Sequence, residues 1–144
     1  MANKNKEILE DYVSFETAKL LKKKGFKVET EHELWYVAKE FSTGCHWNSC
    51  TYKVGETTRE YDSKYCISMP TLQMAMKWLR EVHKININII YDLQKFEKTD
   101  GSVEDVEVYE VDIVSGNGTF YIGNYNHYES AAEAAIKYCL ENLI

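Results

Sequence analysis

The sequence predicts an α+β fold: an antiparallel β-sheet with two amphipathic helices packed on one face and a short N-terminal helix at an edge. Three observations predict it. One-sided helical patterns run from Pro70 to His83 and again from Ser130 to Leu143, and Ile85-Asn86-Ile87-Asn88-Ile89 alternates strictly. An amphipathic helix has one stripe to bury and an alternating strand has one face, so the two kinds of element satisfy each other as packed layers.

The chain of 144 residues is read as a single domain, 1–144, with residues 1–11 a loose polar leader. Its 44% apolar and 28% charged content belongs to a globular rather than a disordered chain. A formal net charge of −6 argues against non-specific affinity for nucleic acid or for an anionic membrane, because both reward positive charge. No apolar run approaches the ~18 residues of a membrane span. The N-terminal Met-Ala-Asn-Lys-Asn-Lys lacks the apolar middle of a signal peptide, so a cytoplasmic location is expected. In that setting the four cysteines, Cys45, Cys50, Cys66 and Cys139, are expected as thiols.

In chain order, Ser14 opens the first helix. Phe15, Ala18 and Leu21 form its stripe, Lys22 to Lys24 complement the negative end of its dipole, and Gly25 closes it in a left-handed conformation. Phe26 to Ile67 is rich in β-formers, with strands expected at Leu34 to Phe41 and Cys50 to Val54 around a polar loop from Ser42 to Ser49. For the central helix, Pro70 suits the first turn and Ser68 or Thr71 supplies a capping oxygen. Leu72, Ala75, Met76, Leu79, Val82 and His83 form its apolar arc, with Trp78 as a rim anchor whose indole N–H stays near water.

After the alternating isoleucines, Lys95 to Asp105 is polar and holds the turn signal Asp100-Gly101, which joins the next strand, Val106 to Val114, as a long hairpin. The acidic residues around that strand, Asp100, Glu104, Asp105, Glu107, Glu110 and Asp112, read as a solvated face that resists edge pairing. Gly116-Asn117-Gly118 turns the chain into Thr119 to Gly123. Ser130-Ala131-Ala132-Glu133 then reads as a capping box opening the last helix, whose arc is Ala132, Ala135, Ile136, Cys139 and Leu143. The two longer helices also match in register, with Ala75 on Ala135, Lys77 on Lys137 and Glu81 on Glu141, which raises a duplicated strand-strand-helix unit.

Two sites of possible chemistry stand out. Cys45, His46, Trp47 and Cys50 crowd one loop, and Cys45 and Cys50 have the upper spacing of a zinc-binding pair. The second pair is incomplete, so neither a metal nor a cofactor is expected. Cys45 with His46, or His127 beside Tyr125 and Tyr128, would be the first candidates in a small enzyme, but no orienting group or oxyanion feature accompanies them.

The runs Ser14-Phe15-Glu16 to Lys24-Gly25-Phe26, Met69-Pro70-Thr71 leading to Lys77-Trp78-Leu79-Arg80, and Glu129-Ser130-Ala131-Ala132-Glu133-Ala134-Ala135 resemble a layout common among small uncharacterised bacteriophage and prophage proteins. The likeness covers most of the chain as order and spacing, and its signatures are structural. Met69 stands where Ala is expected before the proline, and the Cys45 to Cys50 loop has no counterpart in that layout.

That resemblance implies a non-catalytic binding protein of a phage or mobile element, counteracting host defence by sequestering a nucleotide-like host signal or blocking a host protein. A high aromatic content, 11 Tyr and 3 Trp, suits stacking pockets and interfaces. The expected ligand-binding residues are Trp35, Tyr36, Lys39, Trp47, Tyr52, Lys53, Arg59 and Tyr65: rings for a base, cations for phosphate. A structural or assembly protein without a pocket is the other class to be separated. A homo-oligomer is compatible with both.

Overall fold

The computed structural model describes residues 10–27 and 69–144 in full, and the backbone of residues 32–37, 46–51 and 66–68. The chain is α+β. Its elements are α1 (Phe15–Lys23), β1 (His32–Val37), β2 (His46–Thr51), β3 (Cys66–Ser68), α2 (Leu72–His83), β4 (Asn86–Glu97), β5 (Val103–Ser115), β6 (Gly118–Tyr125) and α3 (Tyr128–Asn142). The strands form two three-stranded antiparallel sheets, ordered β2-β1-β3 and β4-β5-β6. In each unit three strands precede one helix, but the first strand is central in one sheet and the second in the other. A simple duplication would have kept the order.

Alternation positions the core. Ile85, Ile87 and Ile89 face the helices, Asn86 and Asn88 face away, and Ile87 and Ile89 pair with Ile113 and Val111 on β5. On β6 the register slips between Val111 and Asp112, and Gly123 takes a φ of 135°. This bulge lets Phe120, Ile122 and also Tyr125 pack against the core, where unbroken alternation would have turned Tyr125 outward. On that face lie α2 and α3, which contribute Leu72, Ala75, Met76 and Leu79, and Ala132, Ala135, Ile136, Cys139 and Leu140. Each fully buried Leu or Ile here contributes about 1.5–3 kcal/mol. α1 packs on α3 and on β3, an edge strand of the other sheet.

Several local readings change. Thr71, not Ser68, caps α2, its hydroxyl accepting from the Met74 N–H at 3.1 Å. Pro70 therefore precedes the cap instead of sitting in the first turn. It is fully buried, and its carbonyl accepts from the Val13 N–H at 3.0 Å. The Leu72 N–H donates to the Asp11 carbonyl at 2.8 Å, so ordered pairing already includes Asp11, inside the expected leader. Trp78 is buried at 8% exposure, packed edge-on between Phe26 and His83, because the chain leaving α1 covers that side of α2. Val82 has no such cover and is 58% exposed.

α1 ends as expected. Gly25 has a φ of 93°, its N–H donates to Lys22 O and the Phe26 N–H donates to Leu21 O. At its start Ser14 Oγ accepts from the Thr17 N–H. α3 begins two residues before the expected cap, at Tyr128, and the His127 side chain makes no capping hydrogen bond. Glu133 consequently does not close a local box. Its carboxylate crosses to α1, accepting from the Ser14 N–H at 3.1 and 3.2 Å and from the Thr17 hydroxyl.

β2 begins at His46, so His46 to Ser49 are strand where a loop was expected. The acidic strand β5 is the central strand of its sheet, so its carboxylates are not edge protection. β4 and β5 continue as a two-stranded ribbon past the end of β6, which pairs only with Tyr109 to Ser115. The ribbon closes at Asp100-Gly101. Asp100 Oδ1 accepts from the Ser102 hydroxyl and N–H, bonds that hold its carboxyl below the usual carboxylate range.

Candidate functional site

The ribbon leaves the core at the end of the sheet where α2 and α3 begin. There a row of tyrosines steps across the helix-facing side. The Tyr91 and Tyr109 rings, directly opposite on β4 and β5, have centroids 5.5 Å apart at 61°, and Tyr109 and Tyr128 have centroids 6.1 Å apart at 84°. Edge-to-face geometry of this kind sets the positive edge of one ring on the negative face of the next. The row is anchored at its inner end by α2, where Gln73 Nε2 donates to the Tyr128 hydroxyl at 2.7 Å. At its outer end Tyr91 is 53% exposed, and its hydroxyl donates to Glu107 Oε1 at 3.3 Å. Partial loss of hydration and the neighbouring Glu107 carboxylate push the Tyr91 phenol above its ordinary pKa.

The sequence folds this way because alternation carries on. Ile85, Ile87 and Ile89 face the helices, so Tyr91, Leu93 and Lys95 follow on the same side of the ribbon once the helices stop covering it. Tyr109 continues the Ile113 and Val111 series in the opposite direction. The arrangement offers a ring face in Tyr91, an acceptor in Glu107 and a cation in Lys95 along one side. α3 begins beside it with its first N–H groups uncapped by His127. Rings take flat groups, a carboxylate takes N–H donors, and the positive helix end favours an anion.

None of the residues expected from the sequence belongs to this row. The backbone register sets Tyr36 opposite Trp47, and Trp35 between Asn48 on one side and Cys66 on the other. Lys39, Tyr52, Lys53, Arg59 and Tyr65 lie outside the described residues, as does Cys45. Cys50 pairs with Glu33 and Cys66 with Trp35, on the two strands that flank β1. Two strand steps and a two-residue offset along the strand separate their Cα atoms by about 12 Å, beyond the roughly 7 Å limit of a disulfide. Cys139 is buried in α3 and its thiol is pushed up to about 12 by desolvation. Among the described residues no three His, Cys, Asp or Glu side chains converge as a metal site, and no helix is long and apolar enough to cross a membrane.

In the sequence the strict apolar alternation runs only from Ile85 to Ile89, which leaves Tyr91 outside the visible pattern. Extending the same alternation by two residues reaches Tyr91, so the signal was present. Comparison with family models, with curated proteins and with solved structures returns no match.

Proposed function

We propose that this chain is a non-catalytic binding protein that holds a flat, anionic, nucleotide-like small molecule. The observation that carries the reading is the row Tyr91–Tyr109–Tyr128, with its outer ring 53% exposed and a carboxylate hydrogen-bonded to it. A nucleobase stacks on Tyr91, Glu107 accepts from its amino or imino hydrogens, and phosphate lies toward Lys95. The residues expected from the sequence, Trp35, Tyr36, Lys39, Trp47, Tyr52, Lys53, Arg59 and Tyr65, are the alternative set for the same ligand class. In the phage setting that the sequence resemblance implies, sequestering such a host signal would counter defence.

The test is calorimetric titration with a panel of mononucleotides, dinucleotides and cyclic nucleotides. Stacking on one ring contributes about 1–3 kcal/mol, so Tyr91→Ala weakens the best binder by roughly 5- to 150-fold. The exposed position of Tyr91 leaves melting unchanged. If Tyr91→Ala binds normally while Trp47→Ala and Arg59→Ala lose affinity, the ligand occupies the β1–β2 surface and not the tyrosine row. No binding by any member of the panel contradicts the nucleotide reading outright.

A further inference from the structure

Of the exposed large apolar side chains, Ile90, Tyr91, Leu93, Phe96 and Val103 all lie on the β4–β5 ribbon, exposed by 47%, 53%, 48%, 61% and 63%. Both ribbon faces therefore carry exposed apolar surface. β4 is also an edge strand, and among the described residues nothing pairs with its outer side. Its Leu93 N–H is met at 2.9 Å by the carboxylate of its own neighbour, Asp92, and not by a strand. A long edge with apolar side chains is a template for another strand, which takes the Leu93 N–H in exchange for the Asp92 carboxylate.

We infer that β4 is a homodimerisation edge, pairing antiparallel with β4 of a second copy about a two-fold axis at Leu93. The sequence of β4 selects that register. With the axis at Leu93, Leu93 meets its own mate and Ile90 meets Phe96 of the second copy. Tyr91 then stands opposite Lys95 of the second copy, which sets a second cation beside the ring, and Asp92 faces Gln94. Within one chain Gln94 Nε2 already approaches Asp92 Oδ2 at 3.4 Å, so the register repeats that pair across the edge. An axis at Asp92 or at Lys95 would oppose like charges. One at Tyr91 would set Ile90 against Asp92, and one at Ile90 would leave Phe96 beyond the pairing. In an antiparallel pair, residues related by a perpendicular two-fold must face the same side, and the Leu93 register meets that requirement at each pair. Pairing from Ile90 to Phe96 covers roughly 23 Å of edge and joins the two sheets into one of six strands. This inference does not rest on ligand binding.

The experiment is analytical ultracentrifugation of the full chain at micromolar concentration, with two variants and a control. The wild type should sediment as two 16.8 kDa chains. Leu93→Arg, which sets two cations against each other at an exposed position, should weaken association by about tenfold or more with unchanged melting. Tyr121→Arg, on the opposite face of the sheet, should leave the dimer intact. Under mild oxidation Leu93→Cys should give a covalent dimer that the parent chain does not form. A monomeric wild type, a Leu93→Arg variant that still dimerises fully, or a cross-link from Ile90→Cys but not from Leu93→Cys overturns the inference.

Discussion

Glu133→Ala removes an acceptor that ties α1 to α3 through a buried polar group. Its carboxylate accepts from the Ser14 N–H and from the hydroxyl of Thr17, a residue fully buried beneath α1. The Ser14 N–H is on the exposed side and recovers water. The Thr17 hydroxyl keeps only its 3.2 Å contact with Ser14 Oγ. A hydrogen bond to a charged group contributes about 1.5–3 kcal/mol, and a poorly satisfied buried polar group costs about 1–3 kcal/mol. The expected loss is therefore about 2–3 kcal/mol, or roughly 5–12 °C in Tm for a chain of this length. Glu133→Gln keeps an acceptor without the charge and should lose about half as much. Adding Thr17→Val to Glu133→Ala should cost less than the sum of the two, because the second change removes the group that the first one orphaned. Circular dichroism melts give the magnitude, and amide exchange should show the loss first in α1. A Glu133→Ala variant melting within a degree or two of the wild type, with α1 protection unchanged, would refute this tertiary cap.

Three further outcomes follow from the same geometry. Leu79 is fully buried at the centre of the α2 arc, so Leu79→Asp should abolish the cooperative melt; a near-normal Tm would remove α2 as an organising element. Lys84 ends α2 in the left-handed region at a φ of 58°, so Lys84→Gly should stabilise the chain by about 0.5–1 kcal/mol, and a loss in chemical denaturation would show that its Nζ bond to Glu81 O outweighs the strain. The Cys139 thiol, pushed up to about 12, should resist alkylation in the native protein at pH 8 and react on unfolding. Because a neutral thiol is what the core holds, its contribution to stability is intact below the ordinary value of 9.0 and is lost as pH rises toward 12.

Periodicity made the layers legible. The isoleucines from Ile85 to Ile89 and the arcs around Leu79 and Ile136 are local patterns, and each faces the core that its spacing implies. What escaped was set by contacts distant in sequence. Trp78 looks like a rim residue on its own helix and is buried only because Phe26 arrives from the end of α1. Glu133 reads as a local capping residue and is taken by Ser14 and Thr17 instead. The division into two sheets has no periodic signature, since alternation specifies a face and not a neighbour. The tyrosine row combines both cases: Tyr91 and Tyr109 follow from alternation, whereas the meeting of Tyr109 with Tyr128 depends on where α3 returns to the sheet.

The most direct measurement of the binding proposal is native mass spectrometry of the protein purified from the cells in which it acts. The account expects a bound small molecule whose released absorbance is that of a nucleobase, absent from a Tyr91→Ala preparation. A bare polypeptide mass from such cells, together with no uptake of any nucleotide added back, would contradict it.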